Sequence, residues 1–431
     1  MTGQPPSSFR EKAILVGLEH EGVSRWDVED SLDELKQLAA SAGANVVDTV
    51  VQRMDKPTAP YYIGKGKAEE IARKCVEKGV TLLIFDDELS PAQGRNVEEI
   101  VGCRVLDRTQ VILDIFAKRA RSHEGRLQIE LAQLQYLLPR LTRMWTHLSR
   151  QTGGIGTRGP GETQLEVDRR RVTERISRLE KDLRDVRKHR TVQREGRLRR
   201  NWPVASLVGY TNAGKSSLLN RLTGAGVLAE DKLFATLDPT TRQLVLPNRQ
   251  KVLLTDTVGF IRKLPHTVIE AFKATLEEVQ LANLLIHVVD LSHPQHDQQI
   301  KAVEDTLKEL DAQGKQTLLV FNKIDNIKDW SIVENQLRRH PGSVAISARM
   351  GDGMTSFLEE MEVRLDAWRM RGEYRIPSNA SALLAEIHRV GHVLQITYEG
   401  DHAIVTAHIP PELKPKLAAY EGLPLPAAVA V

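Results

Sequence analysis

Gly209-Tyr210-Thr211-Asn212-Ala213-Gly214-Lys215-Ser216 follows an apolar run and opens a helical pattern at 217–222, spelling GxxxxGK[ST]. That arrangement suits phosphate chemistry. Glycines let the chain curl so that successive N–H groups face phosphate oxygens, and the helix N-terminus adds positive potential. Lys215 can bridge β and γ phosphates, while the hydroxyl of Ser216 can ligate Mg²⁺, with Ser217 beside it. Asp256-Thr257-Val258-Gly259 follows a second apolar run at 252–254. There Asp256 can hold Mg²⁺ through water, and the Gly259 N–H can sense a γ-phosphate. Phe234-Ala235-Thr236-Leu237-Asp238 lies between the first helix and the next strand, where Thr236 is placed to complete the Mg²⁺ shell. Lys215, Thr236 and Gly259 are therefore the candidate catalytic groups.

The base is legible as well. Asn322-Lys323-Ile324-Asp325 follows the buried run 317–321. Guanine offers two adjacent donors, N1–H and the exocyclic amine, which one carboxylate, Asp325, can accept together; adenine lacks that pair. Ser347-Ala348-Arg349 follows 344–346, where backbone amides can meet the guanine O6. Five such elements in this order resemble a translation-factor-type GTPase domain, which implies GTP and GDP as ligands. Phe260 stands where many GTPases carry a water-orienting glutamine. An apolar residue there cannot polarise water, so slow intrinsic hydrolysis and outside help are expected. Asn212 matches the position at which some related GTPases hold K⁺; that role and simple loop stabilisation both remain open.

Elements must position these groups. The first hundred residues alternate strand and helix patterns (12–18, a stripe at Leu32, Leu35 and Leu38, 46–51, 69–79, 81–85, 96–101, 103–106), which argues for a small α/β domain. Leu127, Leu131, Leu134, Leu138 and Leu141 then form a heptad seam that Pro139 should shorten. Val172, Ile176, Leu179, Leu183 and Val186 repeat the spacing. An antiparallel helical hairpin is the simplest reading, with intermolecular coiled coils as the alternative. From 202 the β and α alternation resumes as a P-loop GTPase domain with a central, mostly parallel sheet, and a small α+β domain follows 372. The fold class is thus α/β multidomain, with boundaries at 1–118, 119–201, 202–371 and 372–431.

The 431 residues carry 60 Lys+Arg against 57 Asp+Glu, a net +3, and are 41% apolar with two cysteines. That excludes a disordered chain and a disulfide framework and suits a reducing, cytoplasmic setting. No run approaches a membrane span. The balance is uneven, because 164–200 holds 14 basic and 7 acidic residues, +7, and leaves −4 elsewhere. Arg169, Arg170, Arg171 and Arg175 make this helix a candidate contact for RNA phosphates, as against an ordinary solvated face. The glycine-rich loop at 151–163, with Arg158, is either an RNA-approaching tip or a flexible connection. Gly64-Lys65-Gly66-Lys67 opens a helix and reads equally as an anion loop or a structural turn. Cys75 and Cys103 read as core thiols.

Three segments outside the nucleotide motifs, Tyr62-Ile63-Gly64-Lys65-Gly66-Lys67, Asp87-Glu88-Leu89-Ser90-Pro91-Ala92-Gln93 and Gly153-Gly154-Ile155-Gly156-Thr157-Arg158-Gly159-Pro160-Gly161-Glu162, together with the helical run 165–171, resemble the HflX family over about residues 10–370. The resemblance implies a GTPase that binds the large ribosomal subunit and its rRNA, splits 70S ribosomes or rescues stalled ones under stress, and acts as a monomer. Some family members are also credited with an ATPase or RNA-remodelling activity, yet no second phosphate-loop pattern occurs here. The alternatives are a switch that binds protein partners through its helical hairpin, or a ribosome-assembly GTPase.

Overall fold

The computed structural model describes residues 11–22, 24–143, 164–198, 202–224, 233–263, 265, 278–366, 370–409 and 413–421. The chain divides into two compact units. The first is Met1–Val186 with Asp231–Leu237 and Lys263–Lys273; the second is Arg187–Glu230, Asp238–Arg262 and Ala274–Val431.

The first unit is built on a four-stranded parallel sheet, order β2-β1-β3-β4, from β1 (Lys12–Glu19), β2 (Asn45–Arg53), β3 (Leu82–Phe85) and β4 (Arg104–Asp107). Both faces of β1 and β3 are buried, which is why these strands read as unbroken apolar runs rather than alternating ones. Helix α1 (Arg25–Ala42) starts at a Ser24–Asp27 capping box and lays Val28, Leu32, Leu35 and Leu38 on the sheet. Helices α2 (Lys65–Lys78) and α3 (Pro91–Val101) both begin earlier than their apolar stripes predict, at 69 and 96. In α3 the cause is local: Ser90 caps Gln93 N–H, the Gln93 side chain returns to Ser90, and Pro91 opens the first turn. The anion reading of the Gly64 loop meets a competitor, because the Gly64 N–H donates to Gln52 Oε1 at 3.0 Å and Lys67 pairs with Glu70 at 2.7 Å. Cys75 and Cys103 approach to 3.8 Å, and burial pushes the Cys103 thiol up to about 12.

A buried polar cluster closes the carboxyl ends of β3 and β4. Arg108, 1% exposed on α4 (Arg108–Arg119), donates to Asp86 at 2.9 Å and to Glu34 at 2.8 Å, and the Ser31 hydroxyl donates to Asp86 at 2.7 Å. Lys263, in one of the two inserted segments, pairs with both Asp86 and Asp87. From the other segment, Phe234 meets Phe116 edge-on with ring centroids 4.6 Å apart. Helix α5 (His123–Leu137) gives way to a 3₁₀ turn at Leu138–Arg143, so Pro139 shortens the seam as its missing N–H demands. Helix α6 (Gln164–Leu198) packs Leu179, Leu183 and Val186 against Leu127, Leu131 and Leu134, joining the two heptad stripes.

The second unit holds a six-stranded sheet, order β10-β9-β8-β5-β7-β6. Its strands are β5 (Val204–Gly209), β6 (Thr240–Val245), β7 (Lys251–Asp256), β8 (Leu284–Asp290), β9 (Thr317–Asn322) and β10 (Val344–Ala345). All neighbours are parallel except β6, which runs antiparallel to β7. Its half-exposed sequence, TTRQLV, carries too little apolar pattern to read as a strand. Helices α7 (Lys215–Thr223), α8 (His296–Glu309), α9 (Trp330–Arg339) and α10 (Met354–Asp366) accompany the sheet. A three-stranded antiparallel sheet, order β11-β13-β12, follows from β11 (Met370–Pro377), β12 (His392–Glu399) and β13 (His402–Ile409), with α11 (Ser381–Val390) and the short α12 (Lys414–Leu417). This is the α+β appendage expected after 372, with β11 as an extra strand. Among the described residues no helix is long and apolar enough to cross a membrane.

Candidate functional site

The six-stranded sheet turns its topology at β5, from which the chain builds toward β7 on one side and β8 on the other. Open α/β sheets bind ligands at such a reversal, outside the carboxyl ends of the strands. Gly209–Ser216 leaves β5 there, Asp256–Gly259 leaves β7, and Asn322–Asp325 leaves β9. These candidates are far apart in sequence and share one edge of the sheet.

The phosphate loop is held open by its own neighbours. Gly214 has φ +94°, and a Cβ there would lie 2.2 Å from Asn322 Nδ2, so both dihedral and space demand glycine. A Cβ on Gly259 would stand 2.9 Å from Lys215 Nζ and from Thr211 Cα, so the backbone after β7 passes directly against this loop. Lys215 is 6% exposed and donates to the carbonyls of Gly209 (3.1 Å) and Tyr210 (2.7 Å). Burial lowers its ammonium to about 8, against the opposing pull of Asp256. The Ser216 hydroxyl donates to Asp256 Oδ2 at 2.6 Å, and the Asp256 carboxylate is fully buried. Thr257 points away from this edge and donates to Leu207 O at 2.6 Å. Thr211 Oγ1, in a residue only 6% exposed, has no partner among the described residues. Asn212 adopts φ +60°. His287, in the middle of β8, is pushed down to about 3 by burial and then by Lys215 and His340, and so stays neutral.

Phe260 is 2% exposed. Its N–H donates to Gly209 O and its carbonyl accepts from Thr211 N–H, so it ties the end of β7 to the phosphate loop. Arg262 N–H continues that tie to the Tyr210 hydroxyl at 2.8 Å. Val258 is buried beside it.

The base-side candidates converge on Asn322. Its Nδ2 donates to Ala213 O at 2.8 Å, and its Oδ1 accepts from Ala348 N–H at 3.0 Å. The Ser347 hydroxyl donates to Asp325 at 2.7 Å, and Lys323, at φ +64°, pairs with Asp290 at 2.7 Å. Sequence reasoning missed Asp290 and Arg221; the latter, on α7, donates to Ala348 O (3.2 Å) and Arg349 O. Neither carries a motif. Arg221 is one of 60 basic residues, and its role exists only where α7 passes the 347–349 loop.

Phe234, Ala235, Thr236 and Leu237 belong to the first unit, and Asp238 begins the return to the second. Of the four candidate arginines on α6, Arg175 forms a two-point pair with Glu130 (2.7 and 2.9 Å), Arg170 lies 3.9 Å from Glu174, and Arg171 lies 3.7 Å from Asp168. The Arg169 side chain has no carboxylate partner among the described residues, and Arg169, Arg170 and Arg171 are exposed. Arg158 and the glycine-rich loop lie outside the described residues.

Two adjacent acceptors (Ser216 and Asp256), a buried ammonium and a ring of loop amides can take a hydrated divalent cation and a polyphosphate. The hard-oxygen character of the first pair suits Mg²⁺.

Comparison with known proteins places these segments in order. Residues 29–117 match the family described as GTP-binding GTPase N-terminal, 119–197 the GTP-binding GTPase Middle Region, and 204–323 the 50S ribosome-binding GTPase. A relative called GTPase HflX from Lacrimispora saccharolytica is 49% identical over 413 residues, covering 95% of this chain and 96% of its own length. The protein of the same name from Escherichia coli K12 is 45% identical over 395 residues, covering 91% of this chain and 92% of its own. Among solved structures, a GTP-binding protein from the archaeon Sulfolobus solfataricus in complex with GDP aligns over 82% of this chain and 98% of its own, with 26% identity and a TM-score of 0.42.

Proposed function

This chain belongs to the HflX family of GTPases, and on that premise we propose that it binds the large ribosomal subunit and dissociates or rescues 70S ribosomes under stress. GTP binding and hydrolysis govern its association and release. It acts in the cytoplasm, as a monomer, and its four functional parts are 1–118, 119–201, 202–371 and 372–431. The observation that carries the nucleotide reading is Asn322, whose one side chain binds the phosphate loop at Ala213 and the base loop at Ala348.

In this reading Asp325 accepts guanine N1–H and the exocyclic amine. The amides of Asn212 and of Gly214 to Ser217 face the phosphates, and Lys215 leaves the carbonyls of Gly209 and Tyr210 for the β and γ oxygens. Ser216 would hold Mg²⁺ directly and Asp256 through water, and the ion would supply charge neutralisation at the β and γ phosphates. The Gly259 N–H reports the γ-phosphate. Phe260 faces inward and brings no polar group to orient water, so fast hydrolysis needs a contribution from outside the chain. The large subunit is the partner expected to supply it, and K⁺ held by Asn212 is a second contributor.

Two features support the ribosomal reading: the match of 204–323 to a family described as 50S ribosome-binding, and the exposed Arg169, Arg170 and Arg171 on α6. Charged side chains that neutralise RNA phosphates release counterions, so binding should weaken steeply with salt. GTP turnover is measured with and without purified large subunits, alongside pelleting at two salt concentrations. Strong stimulation and salt-sensitive pelleting, lost on neutralising Arg169, Arg170 and Arg171, are expected. Unchanged turnover and unchanged pelleting would instead favour the protein-binding switch. Replacing K⁺ by Na⁺ should lower turnover several-fold; equal rates would remove K⁺ from the mechanism.

A further inference from the structure

In the loop that follows β10, four of the five amides of residues 347–351 are already spent within the protein. Ser347 N–H donates to Asp352 O (3.0 Å), Ala348 N–H to Asn322 Oδ1 (3.0 Å), Met350 N–H to Ser347 Oγ (3.0 Å) and Gly351 N–H to Ser347 O (2.7 Å). Among residues 347–351 Arg349 N–H is the remaining donor, with no acceptor among the described residues, and it lies on an exposed residue. Its peptide also carries the Ala348 carbonyl, which Arg221 Nε binds at 3.2 Å. Arg221 Nη2 grips the next carbonyl, that of Arg349. A trans peptide is planar, so its C=O and N–H point in opposite directions. A guanidinium that anchors the Ala348 oxygen from α7 therefore turns the Arg349 N–H to the far side of that peptide, away from α7. The Ser347 hydroxyl, two residues earlier, already holds Asp325, the carboxylate assigned to guanine N1–H. Guanine carries O6 next to N1–H, so a base seated on Asp325 presents O6 to this loop.

We propose that Arg221 is a positioning residue for guanine recognition: by holding the Ala348 and Arg349 carbonyls it aims the Arg349 N–H at O6. This rests on the guanine reading above and adds to it the residue that sets the O6 donor. Because Arg221 is itself exposed, its contribution is directional rather than one of buried charge. It also links the helix that follows the phosphate loop to the base loop, so that one element serves both ends of the nucleotide.

The test measures the affinities of GDP, 6-thio-GDP and IDP for the full chain by competition against a fluorescent GDP analogue. Sulfur at position 6 weakens only the acceptor read by the loop, while IDP lacks only the amine read by Asp325. The unmutated chain should prefer GDP over both, by about tenfold for one hydrogen bond. In Arg221→Met the preference over 6-thio-GDP should shrink at least fivefold, with the preference over IDP kept within twofold. Arg221→Lys, which keeps the charge but cannot fork onto two carbonyls, should behave the same and decides the matter if the methionine variant does not fold. An undiminished preference over 6-thio-GDP, or parallel loss of both preferences, overturns the proposal. An unmutated chain that does not distinguish GDP from IDP overturns the guanine reading itself, before Arg221 is considered.

Discussion

The Asn322 amide donates to the Ala213 carbonyl at 2.8 Å, across 109 residues of sequence, and its oxygen accepts from Ala348 N–H at 3.0 Å. A single side chain, 2% exposed, spans the two loops proposed to grip opposite ends of a nucleotide. Removing it leaves a buried carbonyl and a buried amide without partners, at about 1–3 kcal/mol each. Asn322→Ala should therefore weaken GDP by at least roughly 30-fold and by up to about 20,000-fold, read by titration with a fluorescent GDP analogue. A change of less than threefold would show that the two loops hold their places without it.

Gly214→Ala probes the same junction from the other side. Its Cβ would stand 2.2 Å from Asn322 Nδ2, on a backbone at φ +94°. The displaced amide and the strained loop should together abolish measurable GDP binding while leaving the sheet folded, as far-ultraviolet circular dichroism would show. Near-normal affinity would mean that the loop relaxes more readily than its packing implies.

The hydroxyl of Ser216 bonds to Asp256 at 2.6 Å. In Ser216→Ala the carboxylate loses this donor and the expected cation loses a ligand. Turnover should fall by about two orders of magnitude, the Mg²⁺ concentration for half-maximal rate should rise, and GDP affinity without Mg²⁺ should change little. An unaltered Mg²⁺ dependence would place the cation elsewhere.

Arg108 is the buried hub of the first unit, held by Asp86 and Glu34. Arg108→Met takes the buried guanidinium from Asp86 and Glu34 and should destabilise the unit by about 3–5 kcal/mol, lowering its melting transition by roughly 10 °C. The pH dependence follows from Asp86. Burial alone would raise its carboxyl, but Arg108 and Lys263 outweigh burial and hold it below the usual range. A depressed folded value stabilises the fold above the unfolded carboxyl range, near pH 4, and that contribution is lost as pH falls through the lower, folded value. Melting of the unmutated chain should thus drop below about pH 4 more steeply than that of the variant. Parallel pH curves would remove Asp86 from the acid transition.

Much of the fold was legible because its cause is local. Buried strands such as Leu284–Asp290 read as apolar runs, and Gly43 marks the end of α1; the caps at Ser24 and Ser90 act as locally, yet an apolar stripe alone does not show them and places the start of α3 too late. Helix α4 escaped notice because it begins at the residue after β4, with Asp107 serving as both strand end and cap. Strand β6 escaped because an edge strand with one exposed face needs few apolar residues.

By itself the sequence marked the candidates: a phosphate-loop pattern, a carboxylate proposed for guanine, a hydroxyl and a carboxylate proposed for a divalent cation, and a basic helix after a glycine-rich stretch. Each is a property of residue type and short spacing, and that survives without coordinates. Only the tertiary structure decided which groups serve one another. It spent the Ala348 amide on Asn322 and left that of Arg349, enlisted Arg221 to aim it, committed Arg175 to Glu130, and paired Lys263 with Asp86, 177 residues away. Such pairings depend on where strands and helices end in space, and a hydrogen bond over 3 Å leaves no trace in spacing along the chain.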